Sequence, residues 1–133
     1  MTFEVTANRI DAAGSLVRSK QSELVIDTGL SGRPDALNPV ELLLAALSAC
    51  IIKGIERVAG TLGIDYDSVS VALTAHRPDD EARIEDITYL ITVGTEADQA
   101  KLELLHKNLM KFGTIYNTVS QGTRLSGEIR ARD

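Results

Sequence analysis

The chain carries one cysteine, Cys50, inside the apolar run 42–52. A lone thiol is either a small hydrophobe that fills a core or a nucleophile. The second role needs an electropositive setting, from a helix N-terminus, a cation or a metal. At helical spacing its neighbours are Ala46, Leu47, Lys53 and Gly54, so Lys53 is the one cation within reach. Cys50 lies about three turns into its predicted helix, where the positive helix end acts weakly. On these residues alone, filling and chemistry both stay open.

The remaining groups offer less. His76 and His106 are the only imidazoles. His106, beside Lys107, reads as a surface residue, and His76 sits at a charged turn. Two His and one Cys at this spacing make no zinc pattern. Asp79-Asp80-Glu81 lacks the length and the glycine of a calcium loop. Ser31-Gly32-Arg33-Pro34 does not match a phosphate-cradling loop. No metal and no cofactor are therefore expected.

Composition narrows the classes further. The chain has 133 residues, 44% hydrophobic and 25% charged, which suits one folded domain with one core. Its net charge is −5, which argues against nucleic acid or an anionic membrane as partner. Aromatic residues make up 4%, with no Trp, too few for a base-stacking platform. A single cysteine cannot form an intrachain disulfide, so no oxidising compartment is implied. Met1-Thr2-Phe3-Glu4-Val5 does not read as a secretory signal, and no apolar run approaches the ~20 residues of a membrane span. A cytoplasmic protein is the expectation.

The elements that must position Cys50 follow from periodicity. Residues 3–9 alternate as a strand, Asp11-Ala12-Ala13-Gly14 reads as a turn, and a hairpin is predicted around Lys20-Gln21-Ser22. Residues 29–36 form a loop. Asn38, Pro39 and Glu41 are N-cap, N1 and N3 of a helix predicted to run to about Leu62, with Gly63 as its stop. Its first half is apolar on nearly every side and must be covered all round, which predicts a dimer. Strands follow at 69–75 and 84–93, the latter with Ile87, Tyr89, Ile91 and Val93 on one face. A helix at 97–112, capped by Thr95 or Asp98, carries Leu102, Leu105, Leu109 and Phe112 and ends at Gly113. A short helical turn at 116–120 and a strand at 125–132 complete an α+β order with antiparallel hairpins.

Residues 38–50, Asn-Pro-Val-Glu-Leu-Leu-Leu-Ala-Ala-Leu-Ser-Ala-Cys, and residues 111–120, Lys-Phe-Gly-Thr-Ile-Tyr-Asn-Thr-Val-Ser, together resemble the two motifs of the OsmC/Ohr family, the osmotically inducible and organic hydroperoxide resistance proteins. The resemblance covers nearly the whole chain and implies a single OsmC-like domain over 1–133. It also implies antiparallel sheets wrapped around long central helices in an intertwined homodimer. Active members are thiol peroxidases, and by residue match Cys50 is the peroxidatic thiol.

The second motif usually begins Cys-Pro, but here it holds Gly113 and Thr114, so the partner cysteine is missing. A family Glu follows the helix-starting Pro and orients an Arg beside the thiolate. Here Val40 takes that place, and the carboxylate is one residue on, at Glu41, about 100° further round the helix. The catalytic set implied is Cys50, Glu41 and an arginine, with Arg9, Arg18 and Arg33 as candidates and Arg18 carried forward. Gly113, Thr114, Tyr116 and Asn117 are the candidate pocket residues. Tyr116 and Asn117 either line that pocket or pack with their polar groups satisfied. The reading is thiol-dependent reduction of a small organic hydroperoxide by Cys50, with an external thiol as reductant. The alternatives are a non-enzymatic small-molecule binder and a thiol redox sensor.

Overall fold

The computed structural model describes residues 1–133. These form two compact units, 1–43 and 44–133. Together they hold two three-stranded sheets and three helices, the α+β class expected from the sequence.

In the first unit, β1 (Thr6–Asp11), β2 (Gly14–Ser19) and β3 (Ser22–Ile26) make an antiparallel sheet in sequence order. The Asp11 carboxylate accepts the N–H groups of Ala13 and Gly14, at 2.8 and 3.1 Å, and so makes the predicted turn. The β2–β3 turn places Lys20 at φ 55°, in the left-handed region. The first strand starts at Thr6 rather than at Phe3. Thr6 pairs with Arg18 and β2 ends at Ser19, so residues 3 and 4 lie beyond the end of β2. Beyond β3, the buried Asp27 carboxylate organises the loop by accepting from Gly29 N–H at 3.0 Å and Arg33 N–H at 3.1 Å.

Helix α1 (Pro39–Val58) opens with the capping box read from the sequence. The Asn38 side chain accepts from Glu41 N–H, and the Glu41 carboxylate accepts from Asn38 N–H, both at 2.9 Å. Regular α-helix stops at Val58, four residues before the expected end, and a tighter turn carries the chain to Gly63. There Gly63, at φ 69°, donates to Gly60 C=O at 3.1 Å, and Ile64 N–H reaches Ala59 C=O at 2.9 Å. This is a Schellman stop, with the glycine in the position the sequence assigned it.

The second unit has β4 (Ser68–His76), β5 (Asp86–Gly94) and β6 (Arg124–Ala131) in that order. β4 and β5 form an antiparallel pair. β5 and β6 run parallel, a pairing that antiparallel hairpins alone did not anticipate. A parallel pair needs a crossover, supplied here by α2 (Gln99–Phe112) and α3 (Thr114–Val119). Asp98 caps α2 by accepting Lys101 N–H at 2.9 Å.

The core of this unit is drawn from both layers. Ile87, Tyr89, Ile91 and Val93 point inward from β5 as predicted, and meet Leu47, Ile51 and Ile55 of α1 and Leu102, Leu105 and Leu109 of α2. Phe112 continues the leucine spacing but is exposed, because α2 ends there. One face of α1 is thus buried within its own chain. Ala45, Ala46, Ala49 and Ile52, on other faces, are exposed. No helix is long and apolar enough to cross a membrane.

Candidate functional site

Cys50 is half-buried on α1 with a free thiol. Against it lies Gly113, the single residue that separates α2 from α3. Gly113 N–H donates to Leu109 C=O at 3.1 Å, which closes α2. Its own carbonyl accepts Asn117 N–H at 2.8 Å, which opens α3. Its backbone, at φ −76° and ψ 113°, is one that any residue adopts. The glycine is therefore a matter of space. A Cβ at this position would lie 2.9 Å from the Leu109 carbonyl oxygen, 3.1 Å from Tyr116 Cβ and 3.3 Å from Cys50 Sγ.

A second glycine brings α1 close to α2. Gly54 follows Cys50 by one turn, and a Cβ there would fall 2.6 Å from Leu109 Cδ2. Leu109 therefore packs into the notch at Gly54, while its carbonyl oxygen holds Gly113. The distance from Cys50 to the α2–α3 junction is set by these two glycines and one leucine.

Behind Gly113 stands a buried aromatic and polar group. Tyr116 of α3 meets Tyr89 of β5 edge-to-face, with ring centroids 6.3 Å apart. Tyr89 meets His106 of α2 in the same manner at 5.6 Å, and the Tyr89 hydroxyl is 2.7 Å from His106 Nε2. Gly127 on β6 makes room for the Tyr89 ring, which a side chain there would overlap. Burial raises the Tyr89 pKa, with the Tyr116 hydroxyl adding to it, so the phenol stays protonated. Burial lowers the pKa of His106, against a smaller upward pull from Glu103. The ring is thus neutral at neutral pH and able to accept from the phenol.

The sequence placed His106 on the surface, and the structure corrects this: the residue is buried. The missed signal was its spacing. His106 is four residues after Leu102 and three before Leu109, on the buried stripe of α2. His76 is exposed, as expected.

The structure brings together three of the predicted site residues, Cys50, Gly113 and Tyr116. Thr114 and Asn117 are exposed on α3. Asn117 spends its amide on the end of α2, donating to Lys111 C=O at 3.2 Å. In the first unit, Glu41 closes the capping box and Arg18 pairs with Glu23 on the exposed hairpin at 2.7 Å. Of the other arginines considered, Arg33 is held by Asp35 through two hydrogen bonds, at 2.7 and 2.9 Å, and Arg9 is exposed on β1. No three His, Cys, Asp or Glu side chains gather into a metal-binding group.

The model of the OsmC-like protein family matches residues 32–127, and the chain belongs to that family. Its fold is similar to that of an OsmC-like protein from Mycoplasma pneumoniae, with TM-score 0.89 and 15% identity over 100% of this chain and 99% of the other. It is also similar to an organic hydroperoxide resistance protein OsmC from Legionella pneumophila, with TM-score 0.71 and 17% identity over 97% and 96% of the two chains. The organic hydroperoxide resistance protein OhrB of Bacillus subtilis aligns with TM-score 0.71 and 18% identity over 98% of each chain. At such identities the likeness is one of fold. None of the curated proteins matches the sequence.

Proposed function

We propose that the protein reduces organic hydroperoxides with Cys50 as its single catalytic thiol and a small external thiol as reductant. The observation that carries this reading is the approach of Gly113 to Cys50 Sγ, with only 3.3 Å between the sulfur and the place where a side chain at 113 would start. By resemblance this is where the family's partner cysteine stands, and with glycine there the second sulfur has to come from another molecule. In the first step the Cys50 thiolate attacks the terminal peroxide oxygen. The O–O bond breaks, the alkoxide takes a proton and leaves as the alcohol, and Cys50 becomes a sulfenic acid. An external thiol then displaces water to give a mixed disulfide. A second thiol attacks that disulfide, restores Cys50 and leaves as the oxidised dimer of the reductant.

The working form in this proposal is a homodimer. Ala45, Ala46, Ala49 and Ile52 on α1 and Phe3, Val5, Ile10, Leu24 and Val25 of the first unit are exposed in the single chain. A second copy would remove this apolar surface from water, at roughly 25 cal/mol per Å².

Cys50→Ser tests the chemistry, because the swap is nearly isosteric. Hydroperoxide-dependent consumption of a small thiol should vanish while the thermal midpoint stays close to that of the parent. Retained turnover would contradict the Cys50 mechanism.

A further inference from the structure

We propose that His106 is a positioning residue for the Cys50 thiol, acting through Tyr89 and Tyr116. The mechanism above uses none of the three, yet they form an unbroken series of contacts from the thiol's neighbour into the core. Tyr116 Cβ and Cys50 Sγ border the same empty point at Gly113, at 3.1 and 3.3 Å. The Tyr116 ring rests edge-to-face on Tyr89, and the Tyr89 hydroxyl is tied to His106 Nε2 at 2.7 Å. These groups sit on three different elements, α3, β5 and α2, so the Tyr89–His106 hydrogen bond ties α2 to the ring on which Tyr116 rests. Gly127 leaves the Tyr89 ring room against β6, and Gly54 seats Leu109.

If the bond is lost, the buried Tyr89 hydroxyl keeps only the Tyr116 hydroxyl as a polar neighbour and shifts toward it. Tyr116 then moves, and the gap between Gly113 and Cys50 changes with it. A simple packing role for His106 would need only a ring of the same size.

The inference rests on the reading that Cys50 is a reacting thiol, and its test separates the two. Alkylation of Cys50 by iodoacetamide is followed by intact mass in the parent, His106→Phe, His106→Gln and Tyr89→Phe proteins, beside oxidation by cumene hydroperoxide. His106→Phe keeps a ring and removes the hydrogen-bonding nitrogen, whereas His106→Gln keeps an amide able to pair with the phenol. The expected result is an alkylation rate changed about three- to tenfold in His106→Phe, the weight of one neutral hydrogen bond, with the parental rate largely recovered in His106→Gln. Tyr89→Phe removes the same bond from its other end. It should match His106→Phe, and it serves in its place if that variant does not fold. A parental rate in His106→Phe or Tyr89→Phe would overturn the proposal, as would an equal change in His106→Gln. Absence of hydroperoxide oxidation in the parent would refute the peroxidase reading alone, since the alkylation series does not depend on it.

Discussion

Cys50 Sγ lies 3.3 Å from the point at which a side chain on Gly113 would begin, although 63 positions separate the two residues (113 − 50). In a disulfide, the Cβ of one half lies about 3 Å from the sulfur of the other, given an S–S bond of about 2.05 Å. The junction thus has close to the geometry of a cystine with one half missing. The missing half defines the chemistry proposed here, with one thiol on the protein and the second brought by the reductant.

Gly113→Cys should therefore restore an intramolecular pair. On treatment with a stoichiometric hydroperoxide, the variant is expected to lose the mass of two hydrogens, and the parent to gain one oxygen. The new Cβ must push back the Leu109 carbonyl and Tyr116 by a few tenths of an ångström. The reduced variant should accordingly be less stable by about 1–3 kcal/mol, the usual range for overpacking, as read from its urea midpoint.

Two positions on α1 separate folding from assembly. Leu47 is fully buried within its own chain, so Leu47→Asp places an unpaired charge in the core and should abolish folding, visible as loss of far-UV circular dichroism. Ala49 is exposed in the single chain. Ala49→Glu should leave the chain folded and convert the proposed dimer to a monomer by light scattering. A parent that is monomeric at micromolar concentration would contradict the dimer.

His106 sets a pH dependence whose sign follows from its lowered pKa. The unfolded chain takes up the proton near the ordinary value of 6.5, while the buried ring resists until the pH is lower. Stability contributed by the neutral ring is complete above this range and is lost as pH falls through 6.5 toward the native value. Between about pH 7.5 and 5.5, the urea midpoint of the parent should drop more than that of His106→Gln, which has no titrating ring at that position. Equal drops would show that His106 titrates as an exposed residue does.

Much of this site is legible in the sequence. Capping residues act locally, so Asn38, Glu41 and Gly63 marked the start and stop of the chain segment around α1. Alternation on β5 named its inward residues, because a strand has a simple period of two. The remainder was hidden because it depends on partners distant in sequence. Beside Lys107 in the sequence, His106 has the look of a surface residue, whereas its surroundings are set by Tyr89 on another element. The parallel pairing of β5 and β6 is fixed by where α2 and α3 return the chain, which strand patterns do not encode. Gly113 stands out in the sequence only by its place in a motif, whereas the groups that crowd it, the Leu109 carbonyl, Tyr116 Cβ and Cys50 Sγ, come from three elements that spacing does not bring together.

The most direct test of the central claim is stopped-flow mixing of the reduced protein with cumene hydroperoxide and, separately, with hydrogen peroxide. Cys50 oxidation is read by intact mass and sulfenate trapping. Rapid, saturable oxidation that favours the organic hydroperoxide, reversed by a small thiol through a mixed disulfide on Cys50, is the predicted result. Oxidation no faster than that of a free thiol with either peroxide would contradict the account and make Cys50 a packing residue.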